Sequence, residues 1–314
     1  RPMVPSATSG IGVQSKVHWE DMMRRIALAA SLVILASYGA SAQTNEQLVK
    51  GATDTSNVLN YGMGYNLQRF STLNQINKDT VKNLVPVWNY SLNDDRSEES
   101  QPLVYQGVLY VTTHNATIAI DAKTGKQIWK TKVEYPAETP RIVCCGIINR
   151  GAALYDGKLF RTTLDANVIA LDAKTGKVEW SVKNGDPSKG STGTSAPMVI
   201  KDKVLIGISG GEFGVQAHMS AYDIKTGKLV WRGFSEGPDD QILVDDKTTE
   251  LGKPVGKDSS LKTWQGDQWK IGGGATWGWI SYDPELNLVY YGSGNPSTWN
   301  PKQRPGDNKW SMTI

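Results

Sequence analysis

The chain has 314 residues, enough for one large domain or two ordinary ones, and it is 39% hydrophobic and 21% charged, the balance of a folded protein. Its net charge of +3 is close to neutral for this size and gives no reason to expect nucleic acid or an acidic membrane surface as a partner. The only histidines are His18, His114 and His218, too few to build a histidine-rich zinc site or to suggest a histidine relay.

Arg1 is not an initiator residue, and the first plausible start is Met22 or Met23. Arg24 and Arg25 form a basic stretch, an apolar core follows from Ile26 to Leu35, and Ala40-Ser41-Ala42 forms a small-residue cleavage site before Gln43. That order predicts a secretory signal peptide over 22–42 and export to the periplasm. The apolar run is shorter than the roughly 20 residues a membrane span needs. Residues 1–21 read as untranslated upstream sequence, and the codons for Trp19-Glu20-Asp21 could hold a ribosome-binding site. The remainder, 43–314, is expected to form one domain.

Three segments of that domain repeat. "AIDAKTGKQIW", "ALDAKTGKVEW" and "AYDIKTGKLVW" end at Trp129, Trp180 and Trp231, 51 residues apart in both intervals. A fixed period of this length marks a repeated supersecondary unit. Each unit opens with a β-rich hairpin, broken at Gln106-Gly107, Asp156-Gly157 and Lys201-Asp202. A short strand ending in Ala-x-Asp follows, then a Lys-Thr-Gly-Lys turn, then a strand carrying the tryptophan. Four strands per unit make a propeller blade. Asp and Thr can tie the turn through local hydrogen bonds, Gly125, Gly176 and Gly227 can supply positive φ, and the tryptophan can plug against the neighbouring blade. "NLVPVW", ending at Trp88, reads as a strand of an earlier blade, and "GWISYDPELNLVYYGSGNP" opens a later one with a turn at 284–287. Residues 233–270 are polar and break the period, which predicts an insertion in the form of a solvated loop. About four to five blades are expected in all.

Propeller loops converge at the ends of the ring, so site residues should lie between repeats. Three stretches stand out: "RIVCCGIINRG" (141–151), "GISGGEFGV" (207–215) and "GGGATWGW" (272–279) with "GSGNP" (292–296). Cys144 and Cys145, the only cysteines, are adjacent. In an exported protein they could close a small strained ring or remain two partly buried thiols. Glu212 and Asn295 are oxygen donors that suit a hard cation. Trp277 lies among small residues that would let a flat ligand reach its face, although the same glycines could simply serve a turn. The glycine spacing is not that of a dinucleotide site.

Taken together, these motifs resemble the quinoprotein alcohol dehydrogenases that use pyrroloquinoline quinone (PQQ), and among them the large subunit of methanol dehydrogenases, over essentially everything from about residue 45 to Ile314. The repeat is similar to that family's tryptophan-docking motif. The resemblance implies an all-β, eight-bladed β-propeller about twice this length, with only about the first half present. It implies that Cys144 and Cys145 form a vicinal disulfide against one face of the quinone and that Trp277 stacks on the other. It further implies that Ser209, Gly210, Gly211, Glu99, Arg150 and Thr194 surround the cofactor, and that Glu212 and Asn295 hold the metal, a lanthanide ion or Ca2+. "SGGEFGV" and the stretch 264–314 look most like the lanthanide-dependent branch. Ala275 departs from members that carry Thr two positions before the stacking tryptophan, so one cofactor hydrogen bond is lost or made otherwise. The catalytic base of the family falls beyond Ile314, so none is assigned.

The activity implied is oxidation of methanol or other primary alcohols, with cytochrome c as electron acceptor and a homodimer as the full-length assembly. A quinoprotein for larger alcohols or sugars is a close alternative. A non-catalytic scaffold propeller would need a lipid-bearing cysteine near the cleavage site, and Cys144 and Cys145 lie far from it.

Overall fold

The computed structural model describes residues 42–96 and 98–314, so the expected upstream sequence and all but the last residue of the expected signal peptide lie outside the described residues. No helix among the described residues is long and apolar enough to cross a membrane. Three antiparallel sheets of four strands each follow one another along the chain. The first holds β1 (Leu103–Tyr105), β2 (Val108–Thr112), β3 (Ala116–Asp121) and β4 (Gln127–Lys132). The second holds β5 (Ala152–Tyr155), β6 (Lys158–Thr162), β7 (Asn167–Asp172) and β8 (Val178–Lys183). The third holds β9 (Met198–Ile200), β10 (Lys203–Ile206), β11 (His218–Asp223) and β12 (Leu229–Phe234). In each, neighbours in sequence are neighbours in the sheet, the meander of a propeller blade. A later hairpin, β15 (Ile280–Asp283) with β16 (Leu288–Tyr291), pairs in register around the turn at 284–287.

Burial grades across each sheet. β5 and β9 are buried almost throughout, whereas β4 and β8 alternate between exposed and half-buried positions. Gln106 and Gly107, and again Asp156 and Gly157, all have positive φ, the conformation that suits a two-residue hairpin turn to the twist of its strands.

The repeated motif works as a joint between blades. Asp121, Asp172 and Asp223 each accept hydrogen bonds through Oδ1 from the backbone N–H and the hydroxyl of the threonine three residues on. These bonds hold all three carboxyls below the ordinary carboxylate range. The indole N–H groups of Trp88, Trp129 and Trp180 donate to the carbonyls of Ala122, Ala173 and Ile224 in the following unit. Each indole thereby covers the turn glycine. A Cβ on Gly125, Gly176 or Gly227 would come within 2.6, 2.5 or 2.8 Å of the docked ring, and all three glycines have φ near +70°. Only glycine satisfies both constraints.

Two expectations need correction. Residues 83–88 are not a paired strand: they form no ladder, although Trp88 is docked as foreseen. Among the described residues the count is therefore three complete blades and one further hairpin. The polar stretch expected as an insertion over 233–270 also starts later, because Gly233 and Phe234 complete β12. It is folded rather than merely solvated: it contains a helix, α2 (Asp239–Ile242), after α1 (Asn45–Val49), and a short ladder between β13 (Thr249–Glu250) and β14 (Lys253–Pro254). Ser259, Ser260 and Trp264 within it are buried, and the Asp239 carboxylate accepts from the backbone N–H groups of Ser259 and Ser260.

The stretch before the first blade has a role that its sequence did not reveal. Val58 bridges Val104, Asn60 bridges Ala153, the Tyr65 hydroxyl donates to the Val199 carbonyl, and the Tyr282 N–H donates to the Tyr65 carbonyl. Residues 58–65 thus cross the first strand of every blade in turn.

Candidate active site

Six loops at one end of these sheets supply the expected residues. Cys144, Cys145 and Arg150 lie between the first and second sheets, Thr194 between β8 and β9, Ser209 to Glu212 between β10 and β11, and Trp277 just before β15. Glu99 precedes β1 and Asn295 follows β16. Cys144, Cys145, Arg150, Thr194, Ser209, Gly210, Glu212 and Trp277 line one cavity.

Cys144 and Cys145 are joined by a disulfide, and no free cysteine remains. The expected result of thiol titration on the denatured, unreduced protein is therefore zero thiols per chain, rising to two after reduction. Detection of two thiols before reduction would disprove the pairing in solution.

The polar rim is tied together. Arg150 Nε lies 2.9 Å from Glu99 Oε2, which brings Glu99 to the site through its partner. The Arg150 guanidinium carbon stands 4.9 Å over the centre of the Trp277 ring. Burial pulls the Arg150 pKa down while Glu99 pushes it back. The Thr194 and Ser209 hydroxyls are 2.8 Å apart, and the Ser195 hydroxyl donates to the Trp277 carbonyl at 3.0 Å. Trp277 keeps 45% of its surface exposed, although Thr276 before it is buried.

Glu212 sits in the one-turn helix Gly211–Phe213. Gly210 makes that turn possible: its φ is +115°, and a Cβ there would stand 2.2 Å from the Gly190 carbonyl oxygen. The Glu212 carboxylate reaches the cavity and has no hydrogen-bond or ion-pair partner among the described residues. Gly211 is buried behind it and does not line the cavity. Asn295 does not line the cavity either. Its carbonyl accepts from Gly274 N–H at 2.9 Å, and its side-chain amide donates to the Pro296 carbonyl at 3.4 Å. The link to Glu212 runs through the backbone, where the Ser297 hydroxyl donates to the Gly211 carbonyl. Ala275 packs in a small apolar cluster with Ala166, Ile208, Val215 and Ala217 and offers the site no hydroxyl, while the adjacent Thr276 spends its own on the His218 carbonyl.

Sequence reasoning missed Gly146, Ile148 and Thr192, which complete the lining. It also missed Glu236, which is fully buried with neither carboxylate oxygen hydrogen-bonded among the described residues. Burial pushes the Glu236 pKa up to about 9, with Arg304 opposing. A carboxyl whose pKa is higher folded than unfolded holds a proton that the unfolded chain has lost, so its cost grows as pH rises from about 4.5 to about 9. Glu236→Gln is accordingly expected to raise the unfolding temperature more at pH 8.5 than at pH 5, and an equal shift at both would refute the neutral, buried acid.

The arrangement suits a planar, acid-bearing group. A disulfide and an exposed indole provide flat apolar surfaces, Arg150 with Thr192, Thr194 and Ser209 provide donors, and Glu212 provides a free anionic oxygen pair.

Comparison with known proteins agrees with this chemistry. Residues 59–314 match the family profile described as PQQ, glucose/ethanol/alcohol dehydrogenase, beta-propeller domain. A lanthanide-dependent methanol dehydrogenase of Methylorubrum extorquens is 54% identical over 93% of this chain and 49% of its own. Methanol dehydrogenase (cytochrome c) subunit 1 of Paracoccus denitrificans is 43% identical over 92% of this chain and 47% of its own. The solved structure of a europium-containing methanol dehydrogenase superposes with a TM-score of 0.79 at 44% identity, covering 84% of this chain and 47% of that one. The chain thus spans about half the length of the relatives it matches. With the blade meander, the docked tryptophans and a profile match running through every one of these loops, the chain belongs to the PQQ-type glucose/ethanol/alcohol dehydrogenase family and is part of its β-propeller domain.

Proposed function

We propose that the full-length protein oxidises methanol and other primary alcohols to aldehydes in the periplasm, with PQQ as cofactor, a lanthanide ion as the favoured metal over Ca2+, and cytochrome c as electron acceptor for a homodimer. The observation that carries this reading is the single cavity lined by the Cys144–Cys145 disulfide, Trp277, Arg150 and Glu212. When bound, PQQ supplies a two-electron quinone oxidant and the hard cation supplies Lewis acidity.

The chain's own residues position and select. The disulfide and the Trp277 ring, both in the lining of the cavity, would supply flat surfaces for a planar cofactor. Arg150, held by Glu99, offers a fixed cationic fork to oxygen atoms on its edge. Thr194, Ser209 and Gly210 contribute the remaining polar edge, with Gly211 buried behind it. Glu212 and Asn295 would hold the metal as oxygen donors, Asn295 through its amide oxygen, which the bond from its amide nitrogen to the Pro296 carbonyl leaves free. The preference for a lanthanide is supported by the 54% identity to a relative that carries this dependence in its name.

The test uses the full-length gene product, prepared without cofactor and then supplied with PQQ and either La3+ or Ca2+. Saturable quenching of tryptophan fluorescence by PQQ is expected, followed by dye reduction that requires alcohol and is faster with La3+. Methanol should exceed glucose as substrate. Absence of PQQ binding would overturn the reading, faster turnover with Ca2+ would overturn the metal, and a preference for glucose would overturn the substrate class.

A further inference from the structure

Beside the cavity lies a buried chain of titratable groups that the proposed chemistry does not use. His114, in the turn between β2 and β3, has its Nε2 3.0 Å from Asp94 Oδ2 and 3.2 Å from Arg96 Nη1, while its Nδ1 is hydrogen-bonded to the Tyr135 hydroxyl. Arg96 can only donate, so a neutral ring accepts from it at Nε2 and donates from Nδ1 to the Tyr135 oxygen, while Asp94 Oδ2 is left without a hydrogen-bond partner among the described residues. Both Glu98 carboxylate oxygens are buried beside this group and lack a hydrogen-bond partner among the described residues. The charged and titratable groups facing the chain are Asp94, Arg96, Glu98 and Tyr135, with Arg161 and Asp165 from the second blade.

The position of this chain matters more than its composition. Residue 98 adjoins Glu99, the partner of Arg150 in the cavity. Tyr135 begins the loop that ends in Cys144 and Cys145. Among the described residues, the Tyr135–His114 bond is the single hydrogen bond that ties residues 134–148 to another part of the chain; the loop's other bonds are internal, from Thr139 to Pro136 and from Arg141 to Glu138. His114 therefore fastens both the segment that carries Glu99 and the loop that carries the disulfide.

We propose that His114 is a positioning residue which clamps these two cofactor-facing segments, and that a proton held between Glu98 and Asp94 sets how tightly the clamp closes. The proposal rests on the functional reading above for its consequence, cofactor retention, but not for the clamp itself. Burial and the neighbouring Asp94 carboxyl push Glu98 up to about 7, while Arg161 opposes the rise. Raising the pH therefore ionises Glu98 beside Asp94 and loosens the clamp. Burial holds His114 below its ordinary value despite Asp94, so the ring is neutral where Glu98 titrates, and a protonated ring still has an Nδ1–H for the Tyr135 oxygen. The clamp is therefore tightest below the Glu98 transition and loosens as the pH rises through about 7.

The test is hydrogen exchange on the full-length protein without cofactor, corrected for intrinsic rate, from pH 5 to pH 8.5. Peptides covering 92–100 and 134–148 should both exchange faster as the pH rises through about 7. Tyr135→Phe, which removes one oxygen and keeps the ring, should speed exchange of 134–148 about tenfold at pH 6 and leave 92–100 unchanged. Glu98→Gln should abolish that alkaline rise in both peptides. PQQ affinity should follow the same pH course. Unchanged exchange in Tyr135→Phe, a flat wild-type profile, or the wild-type alkaline slope in Glu98→Gln would each overturn the clamp. Failure of the wild-type protein to bind PQQ at any pH would instead overturn the functional reading, with the exchange profile still deciding the clamp.

Discussion

Glu212→Ala in the full-length protein is expected to lose bound metal and alcohol oxidation together, the rate falling by about three orders of magnitude, with no loss of folding. The size follows from the role proposed for Glu212 as an anionic ligand to a catalytic cation, whose removal is a change on the order of 4 kcal/mol in the transition state, where each 1.4 kcal/mol or so is tenfold in rate. The specificity follows from what Glu212 does not do. Its turn is held by backbone bonds from Phe213 and Val215 to the Gly210 carbonyl and from Gly214 to the Gly211 carbonyl, none of which uses the side chain. The carboxylate makes no ion pair among the described residues, so truncation leaves no orphaned partner. Metal content by elemental analysis and dye-linked turnover are the two readings, with the thermal midpoint as control. Normal metal content and normal turnover in the variant would take Glu212 out of the site. Glu212→Gln should retain part of the metal but favour a less highly charged ion, because it keeps an oxygen donor and loses the charge.

The elements legible in the sequence are those fixed by short-range geometry. The Asp-x-x-Thr-Gly turn is closed by bonds that span three residues, and the tryptophan always lands one unit further on, so a constant period records both the turn and the joint between blades. Residues 83–88 show the limit of that reading: Trp88 docks as its motif demands, yet the chain before it joins no strand ladder among the described residues, because pairing needs a partner strand that no local signal supplies. The polar stretch after β12 misled for a related reason. Asp239 has the look of a solvated side chain, but it caps the backbone at Ser259 and Ser260, and Glu236 is wholly buried. Neither property leaves a periodic trace. The site itself was legible only as a resemblance. Glu99 and Arg150 are one repeat apart, and nothing in either segment says that they form an ion pair across two blades.

Arg161→Met is expected to destabilise the protein by about 3–5 kcal/mol, the usual cost of removing one member of a buried charge network. Arg161 lies in β6 and is completely buried, the largest side chain to be so. Its guanidinium donates to the carbonyls of Thr113, His114 and Ala116 and the hydroxyl of Thr117, all in the first blade, and its Nε donates to the Thr162 carbonyl beside it. One side chain thus satisfies the turn between β2 and β3 from the neighbouring sheet, in a place no water reaches. Methionine matches the length of the stem but leaves those acceptors without donors, and each unsatisfied buried group costs about 1–3 kcal/mol. Lysine should recover only part of the loss, since an ammonium cannot reproduce the planar fork that meets several carbonyls at once. Burial draws the Arg161 pKa down to about 10, so the group remains charged at neutral pH, and because it favours ionised Glu98, which titrates at about 7, the loss should grow as the pH rises from 6 to 8. The same charge opposes the rise in the Glu98 pKa, so its removal should also carry Glu98 further upward and shift the alkaline limb of the exchange profile to higher pH. Thermal unfolding of the full-length protein reads the first effect, expected as a drop on the order of 10 °C, and hydrogen exchange reads the second. A variant within 1 kcal/mol or so of wild type would show that the first and second blades do not depend on this contact.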